Sequence, residues 1–201
     1  MANDRIVWDM AVTLQELLRS QVSLPSGEPV HFTIDTPGGT SAEEAKPLVY
    51  VCLYEVEENV AFRRTEKTLA ASVEADGDLH EYYRFPPLPL YLRFLLISVG
   101  RTREEEHRLL GQLLRVIHDH PVLQGDGIVK GDSVAPDEKV YLAVRSVWGI
   151  EAQSRFWRAV GERFRPSISC QVGVNVDSER REQIVRVKER VVEVKRNITG
   201  A

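Results

Sequence analysis

Ile6, Met10, Leu14, Leu17 and Leu18 fall three and four residues apart, the spacing of one helix face, and Asn3 or Asp4 is placed to cap the start. This amphipathic helix ends before Pro25. Val30, Phe32 and Ile34 then alternate with His31, Thr33 and Asp35, the period of a short half-buried strand. The segment 36–46 (TPGGTSAEEAK) collects turn-forming and polar residues and is expected to be a loop. From Leu48 to Val56 the chain is almost continuously apolar (LVYVCLYEV), which predicts a central strand covered on both faces.

A long polar stretch comes next, from Glu57 to about Arg84, with the turn signal Asp76-Gly77-Asp78 inside it. Its length exceeds ordinary connections, so it is a functional arm or a mobile excursion. Phe85-Pro86-Pro87-Leu88-Pro89 leads into a strand from Leu90 to Ser98; prolines, which cannot donate to a ladder, suit a strand start.

Thr102 with Glu105 three residues on is a capping box, opening a helix through about His118. Leu109, Leu110, Leu113, Leu114 and Ile117 are its expected buried stripe. Gly111 costs such a helix about 1 kcal/mol relative to alanine, and close approach to another backbone would compensate. His118 and His120 stand at the helix end, where positive charge is favoured, and Pro121 stops it. After a loop over 124–139, Val140, Leu142, Val144 and Ser146 alternate with Tyr141, Ala143, Arg145 and Val147, predicting a third long strand. A short helix from Ile150 to about Gly161 has Trp157 and Val160 on its inner side. Arg165-Pro166-Ser167 turns the chain into a last strand, where Ile168, Cys170, Val172, Val174 and Val176 share one face.

The tail differs in character. Residues 178–201 hold seven basic and four acidic side chains, a net charge of +3, which leaves 19 basic and 26 acidic residues in the rest. Val185 and Val187 alternate with charges, as do Val192 and Val194, a pattern for an exposed strand or two-strand arm. It reads either as an arm reaching a neighbouring copy or as an edge strand blunted by Lys and Arg. The organisation expected is therefore an α/β domain over 1–177 and a charged C-terminal β-arm or tail over 178–201. The domain is of α+β type, with a mixed, largely antiparallel sheet of about four to six strands flanked by two to three helices.

The chain has 201 residues, 43% hydrophobic and 28% charged, which is ordinary globular composition for one domain. A net charge of −4 offers no general attraction to phosphate backbones, so nucleic acid is not an expected partner. Asp4, Asp9 and Glu16 interrupt any secretory signal at the start, and the most apolar stretch, Leu88 to Val99, contains Arg93 and is too short for a membrane-spanning helix. Folding in the cytoplasm without a membrane partner is the expectation. Spacing leaves a disulfide between Cys52 and Cys170 open; in a reduced cytoplasm, each inside an apolar strand, they read as two buried thiols.

Candidate chemistry changes little. His107 and His118 lie at similar helical azimuth, yet a rise of 1.5 Å per residue separates them by roughly 16 Å. His118 and His120 point to nearly opposite sides, and no His/Cys cluster has zinc spacing. Gly38-Gly39 and Gly125-Asp126-Gly127 lack nucleotide-binding spacing, there is no nucleophile elbow, and 125–132 (GDGIVKGD) lacks the acidic repeat of a calcium loop. An enzyme using His107 or His118 as general base has no partner constellation. No catalytic, cofactor-binding or metal residue is assigned, and no cofactor is expected.

Four motifs in order carry a resemblance: 51–59 (VCLYEVEEN) with 86–90 (PPLPL), 106–111 (EHRLLG) continuing to 116–123 (VIHDHPVL), Phe156-Trp157, and 164–167 (FRPS). From about residue 5 to 177 the chain resembles the N-terminal domain of the cap, or tail-terminator, proteins of extracellular contractile injection systems, such as the antifeeding prophage and the virulence-cassette particles. Cys170 stands where that resemblance leads one to expect an aromatic residue, and longer members carry sequence beyond this domain. The resemblance implies a phage tail-terminator-like fold and a non-enzymatic structural subunit. It implies a homo-hexameric ring on the last layer of the inner tube and the sheath, and a place in a released particle after cytoplasmic assembly. It also implies a sheath that exchanges strands, for which an exposed strand edge is the expected dock. Exposure and charge select Arg63 and Arg64 in the long stretch, and Val185, Arg186, Val187 and Lys188 in the tail, as candidate partner contacts. The competing reading is a monomeric adaptor using 57–84 as a recognition loop.

Overall fold

The computed structural model describes residues 4–38, 47–73, 79–125, 129–135, 137–145 and 149–184. They form two compact units: one of 1–64 with 87–177, the other of 65–86 with 178–201.

The first unit is built on a six-stranded sheet in the order β1-β2-β5-β8-β7-β6. Its strands are β1 (His31–Thr33), β2 (Leu48–Glu58), β5 (Leu88–Val99), β6 (Val122–Leu123), β7 (Val140–Arg145) and β8 (Ser167–Val176). β1 runs parallel to β2; every other neighbour is antiparallel. Among the described residues three α-helices complete the unit: α1 (Ile6–Gln21), α2 (Arg103–Asp119) and α3 (Ile150–Val160). The architecture is thus the mixed, largely antiparallel sheet with flanking helices expected from the sequence.

Alternation decides which side chains meet which helix. Val49 and Val51 of β2, Leu92, Phe94 and Leu96 of β5, and Ile168, Cys170, Val172 and Val174 of β8 join Met10, Leu14, Leu18, Leu109, Leu113 and Ile117 of α1 and α2 in one core. On the opposite face Leu48, Tyr50, Cys52, Leu95, Ile97 and Val99 pack on Trp157 of α3. The apolar run of β2 is continuous because both faces are covered there. The two thiols are free and buried, and they belong to opposite faces of the sheet, so they cannot pair.

Several local expectations are corrected. Residue 3 lies outside the described residues and Asp4 does not cap α1; the N-cap is Arg5, with no side-chain hydrogen bond. Thr102 does cap α2, accepting from Glu105 N–H, while the Glu105 carboxylate reaches Arg101 N–H at 2.8 Å, one residue before the cap. Leu114 is not in the stripe: it is 42% exposed, and Val116 is buried instead. Gly111 faces open space, with nothing within 4 Å of a β-carbon built there. Val144 is exposed too: along β7 burial stops after Val140 and Leu142.

The second unit holds most of the stretch expected to be an arm or mobile excursion. β3 (Thr68–Val73) and β4 (Leu79–Arg84) pair antiparallel, and β9 (Arg181–Gln183) adds to β4, giving the order β3-β4-β9. Thr68, Val73, Tyr82 and Tyr83 favour strand, and Ala70 and Ala71 meet Tyr82 and Glu81 across the ladder; the high charge of the surrounding sequence hides the pairing. The turn 74–78 lies outside the described residues.

Candidate functional site

Along β2 the two sides of the strand are unequal. Its inner side pairs with β5 throughout, from Leu48 opposite Val99 to Glu58 opposite Leu90, with a bulge between Leu53 and Glu55. On its outer side, among the described residues, β1 pairs with Leu48 to Tyr50 and no strand pairs beyond. The bulge adds one residue and re-aims the side chains beyond it, so Glu55 and Glu57 stand opposite Arg93 and Tyr91. Both carboxylates pair with the buried Arg93 guanidinium. An arginine in the middle of the most apolar strand thereby has both terminal nitrogens paired with half-exposed acids, while its buried Nε has no hydrogen-bond partner among the described residues.

The same sheet face continues away from α3 as a polar platform. Tyr54 Oη and Ser169 Oγ are 2.8 Å apart, and Arg145 donates to Gln171 Oε1. Tyr91 lies over Gly173, where it is 3.6 Å from the position of an added β-carbon, and the exposed Tyr141 flanks the glycine on the other strand. Tyrosine and arginine are the residue types enriched at protein interfaces, so Tyr91, Tyr141 and Arg145 make this sheet face a candidate contact surface.

A second feature gathers at the start of α2. Arg101, Arg103, Arg163 and Arg165 line a depression of about 230 Å³ with Gly100, Thr102, Glu106 and Phe164. Arg165 donates to the buried Glu106 at 2.7 Å, Arg103 lies 3.5 Å from it, and Arg101 reaches Glu28 at 2.8 Å. Most of the positive charge is therefore spent internally.

In the second unit the aromatic and basic residues interleave. Two cations lie over the Phe85 ring, Lys67 at 4.7 Å from its centroid and Arg180 at 4.4 Å. Arg181 stacks over Tyr82 at 4.7 Å, and Lys67 pairs with Glu182. That contact holds the Glu182 carboxyl below its usual range. Lys67, Phe85 and Arg180 went unnoticed in sequence because they lie far apart along the chain.

Of the candidate contacts, Arg63 and Arg64 are exposed after a 3-10 turn at Val60–Phe62. Arg63 is 3.3 Å from Glu58, an alignment short of a hydrogen bond. Val185, Arg186, Val187 and Lys188 lie outside the described residues, so the structure brings none of the two groups together. His107 and His118 are exposed on α2, and His120 Nδ1 is 3.0 Å from Val116 C=O. Among the described residues no three His, Cys, Asp or Glu gather as a metal site, and no helix is long and apolar enough to cross a membrane. Burial pushes the thiol of Cys170 up to about 12; burial and then the Asp35 charge push that of Cys52 up to about 11.

Comparison with known proteins places this geometry. No curated protein matches the sequence. Among solved structures, a sheath/tube terminator of an extracellular contractile injection system in its extended state aligns with a TM-score of 0.65 and 16% identity, over 99% of this chain and 67% of that one. The tube-terminating cap of the anti-feeding prophage aligns with a TM-score of 0.59 and 16% identity, over 93% of this chain and 61% of that one. The chain thus spans roughly two thirds of each of those proteins, and at this identity the likeness is one of fold. The family model for the Pvc16 N-terminal domain matches residues 9–189. That match runs through every strand and helix of both units except the first turn of α1, and the chain belongs to the Pvc16 N-terminal domain family.

Proposed function

We propose that the chain is a structural cap, or tail terminator, of a phage-tail-like contractile injection particle, forming a six-fold ring that ends the inner tube and anchors the last sheath layer. The observation that carries this reading is the alignment of nearly the whole chain with a sheath/tube terminator and with a tube-terminating cap. A cyclic ring needs two different matching surfaces on one subunit. An acidic body with a basic tail supplies opposite charge for them. Growth stops because the far face of the ring lacks the surface that recruits another layer. The chain works through surfaces, without catalysis, after assembly in the cytoplasm and as part of a released particle. Arg63, Arg64 and the tail residues Val185, Arg186, Val187 and Lys188 are the contacts this reading selects.

Electron microscopy of particles made with and without the chain tests it. Without the chain, tubes of uncontrolled length or lost sheath are expected. Particle ends that contain no copy of it would refute the reading.

A further inference from the structure

Among the described residues no strand pairs with the outer side of β2 from Val51 to Glu58. The hydrogen bond from Asn59 N–H to Pro89 C=O, 2.9 Å, sets the phase of the β2–β5 ladder. In an antiparallel pair the bonded residues alternate with non-bonded ones. Counting back along the register, Glu57 and Glu55 address β5, so the N–H and C=O of Val56 and Glu58 point outward. Val56 is itself 49% exposed. Rows of outward backbone groups are templates for strand addition.

The side chains narrow the choice of strand. Glu55 and Glu57 share the sheet face of Arg93, whereas Val56 points to the other face. Two carboxylates share one buried guanidinium, so one negative charge at this edge is uncompensated by it. An added strand would place an apolar residue beside Val56 and a cation beside the glutamates, because neighbours across a ladder share a face. The chain's own C-terminal sequence has that period-two pattern: Val185, Arg186, Val187, Lys188, within a segment 185–201 of five basic and two acidic residues.

We propose that residues 185–188 of a second copy add as a strand to the outer edge of β2, valines beside Val56 and basic side chains beside Glu55 and Glu57. The donor segment and the acceptor edge are different surfaces, so the contact is head-to-tail and propagates around a ring. The inference rests on the reading of the chain as a self-assembling ring and adds the surface that joins its subunits. The same edge could hold a strand from the sheath, or the tail of the same chain; either outcome refutes the proposal.

The experiment mixes two full-length variants, Val56→Cys and Val187→Cys, and oxidises them. Native Cys52 and Cys170 are buried and do not compete. A disulfide joining residue 56 to residue 187 in a covalent dimer, located by peptide mass spectrometry, is expected. Its absence overturns the proposal, as does a double variant that cross-links only within one chain. Two further variants extend the test, and the first is independent of folding at position 56. Truncation after Ile184 and Val56→Pro, which removes an outward N–H and no bond of the β2–β5 ladder, should each weaken self-association by about tenfold or more in sedimentation. Unchanged association in both overturns it. Particle ends that still carry the truncated chain would sink this contact and leave the terminator reading standing; particle ends that lack the intact chain would sink that reading, whatever the cross-link shows.

Discussion

Gly131 lies against the carboxylate of Asp9, a buried residue of α1, so closely that a β-carbon built on the glycine would penetrate it, with even the farther oxygen 2.8 Å away. The Ser133 hydroxyl donates to the same carboxylate. One turn along α1, the buried Thr13 hydroxyl accepts Lys130 N–H at 2.8 Å. Two polar residues inside an apolar helix face therefore fasten the loop between β6 and β7, and Val129 and Val134 of that loop join the core.

Gly131→Ala should be strongly destabilising, because the residue also has a φ of +80°. The left-handed backbone and the clash together should cost about 2–4 kcal/mol. Gly27→Ala is the control: its φ is +73°, but nothing lies within 4 Å, so only the backbone term of about 1–2 kcal/mol applies. Urea denaturation of both variants decides, and equal losses would show that the Asp9 contact contributes nothing.

How much of this was legible depends on range. Periodicity located α1, α2, β2, β5 and β8, since each buries a contiguous face, whereas α3 buries Trp157 alone; the Thr102 cap was readable from four residues. Asp9 and Thr13 were not read as buried, because their partners Ser133 and Lys130 are more than a hundred residues away. The β3–β4 hairpin was missed for a different reason: neither of its faces is an uninterrupted apolar stripe, and Leu69 and Tyr83 stay exposed. That no described strand pairs with the outer side of β2 beyond Tyr50 is a property of the assembled sheet, which no local pattern records. Arg93 was visible as an exception within β5, but its compensation by Glu55 and Glu57 depends on register.

Gly111→Ala should raise stability. The glycine lies on the exposed side of α2 with open space around it, so alanine gains helix propensity without strain, about 0.5–1 kcal/mol. Thermal unfolding measures the gain directly. A loss would mean that the folded chain brings something against this face after all. Unchanged particle assembly would show that no partner does so either.

The thiols give the protein an alkaline weakness. Folded, Cys52 and Cys170 ionise only near pH 11 and 12, against an ordinary value of 9.0. Between those values the unfolded chain loses thiol protons that the folded chain retains, so stability is full below about pH 9 and falls as pH rises toward 11–12. Cys170→Ala should flatten that decline in denaturation curves taken from pH 8 upward. In the native protein at pH 8 both thiols should resist alkylation and react on unfolding; rapid modification of either in the folded state would contradict its burial.

Glu106 tests whether the arginines at the start of α2 serve the fold. Its carboxylate is buried, Arg165 donates to it at 2.7 Å, and the much more exposed Arg103 lies 3.5 Å away. Removing one partner of a buried pair leaves a charge that the interior cannot solvate, so Arg165→Met should cost about 3 kcal/mol, the low end of the usual range because Arg103 still helps. Replacing both, as Glu106→Gln with Arg165→Met, removes the stranded charge and should recover more than half of that loss. Arg103→Ala alone should cost less than about 1 kcal/mol, since its pairing is largely exposed to water. The double-mutant cycle separates two roles for the cluster. A coupling near zero would mean that Arg165 is not holding Glu106 in place and is free, with Arg163, to meet an anion from outside.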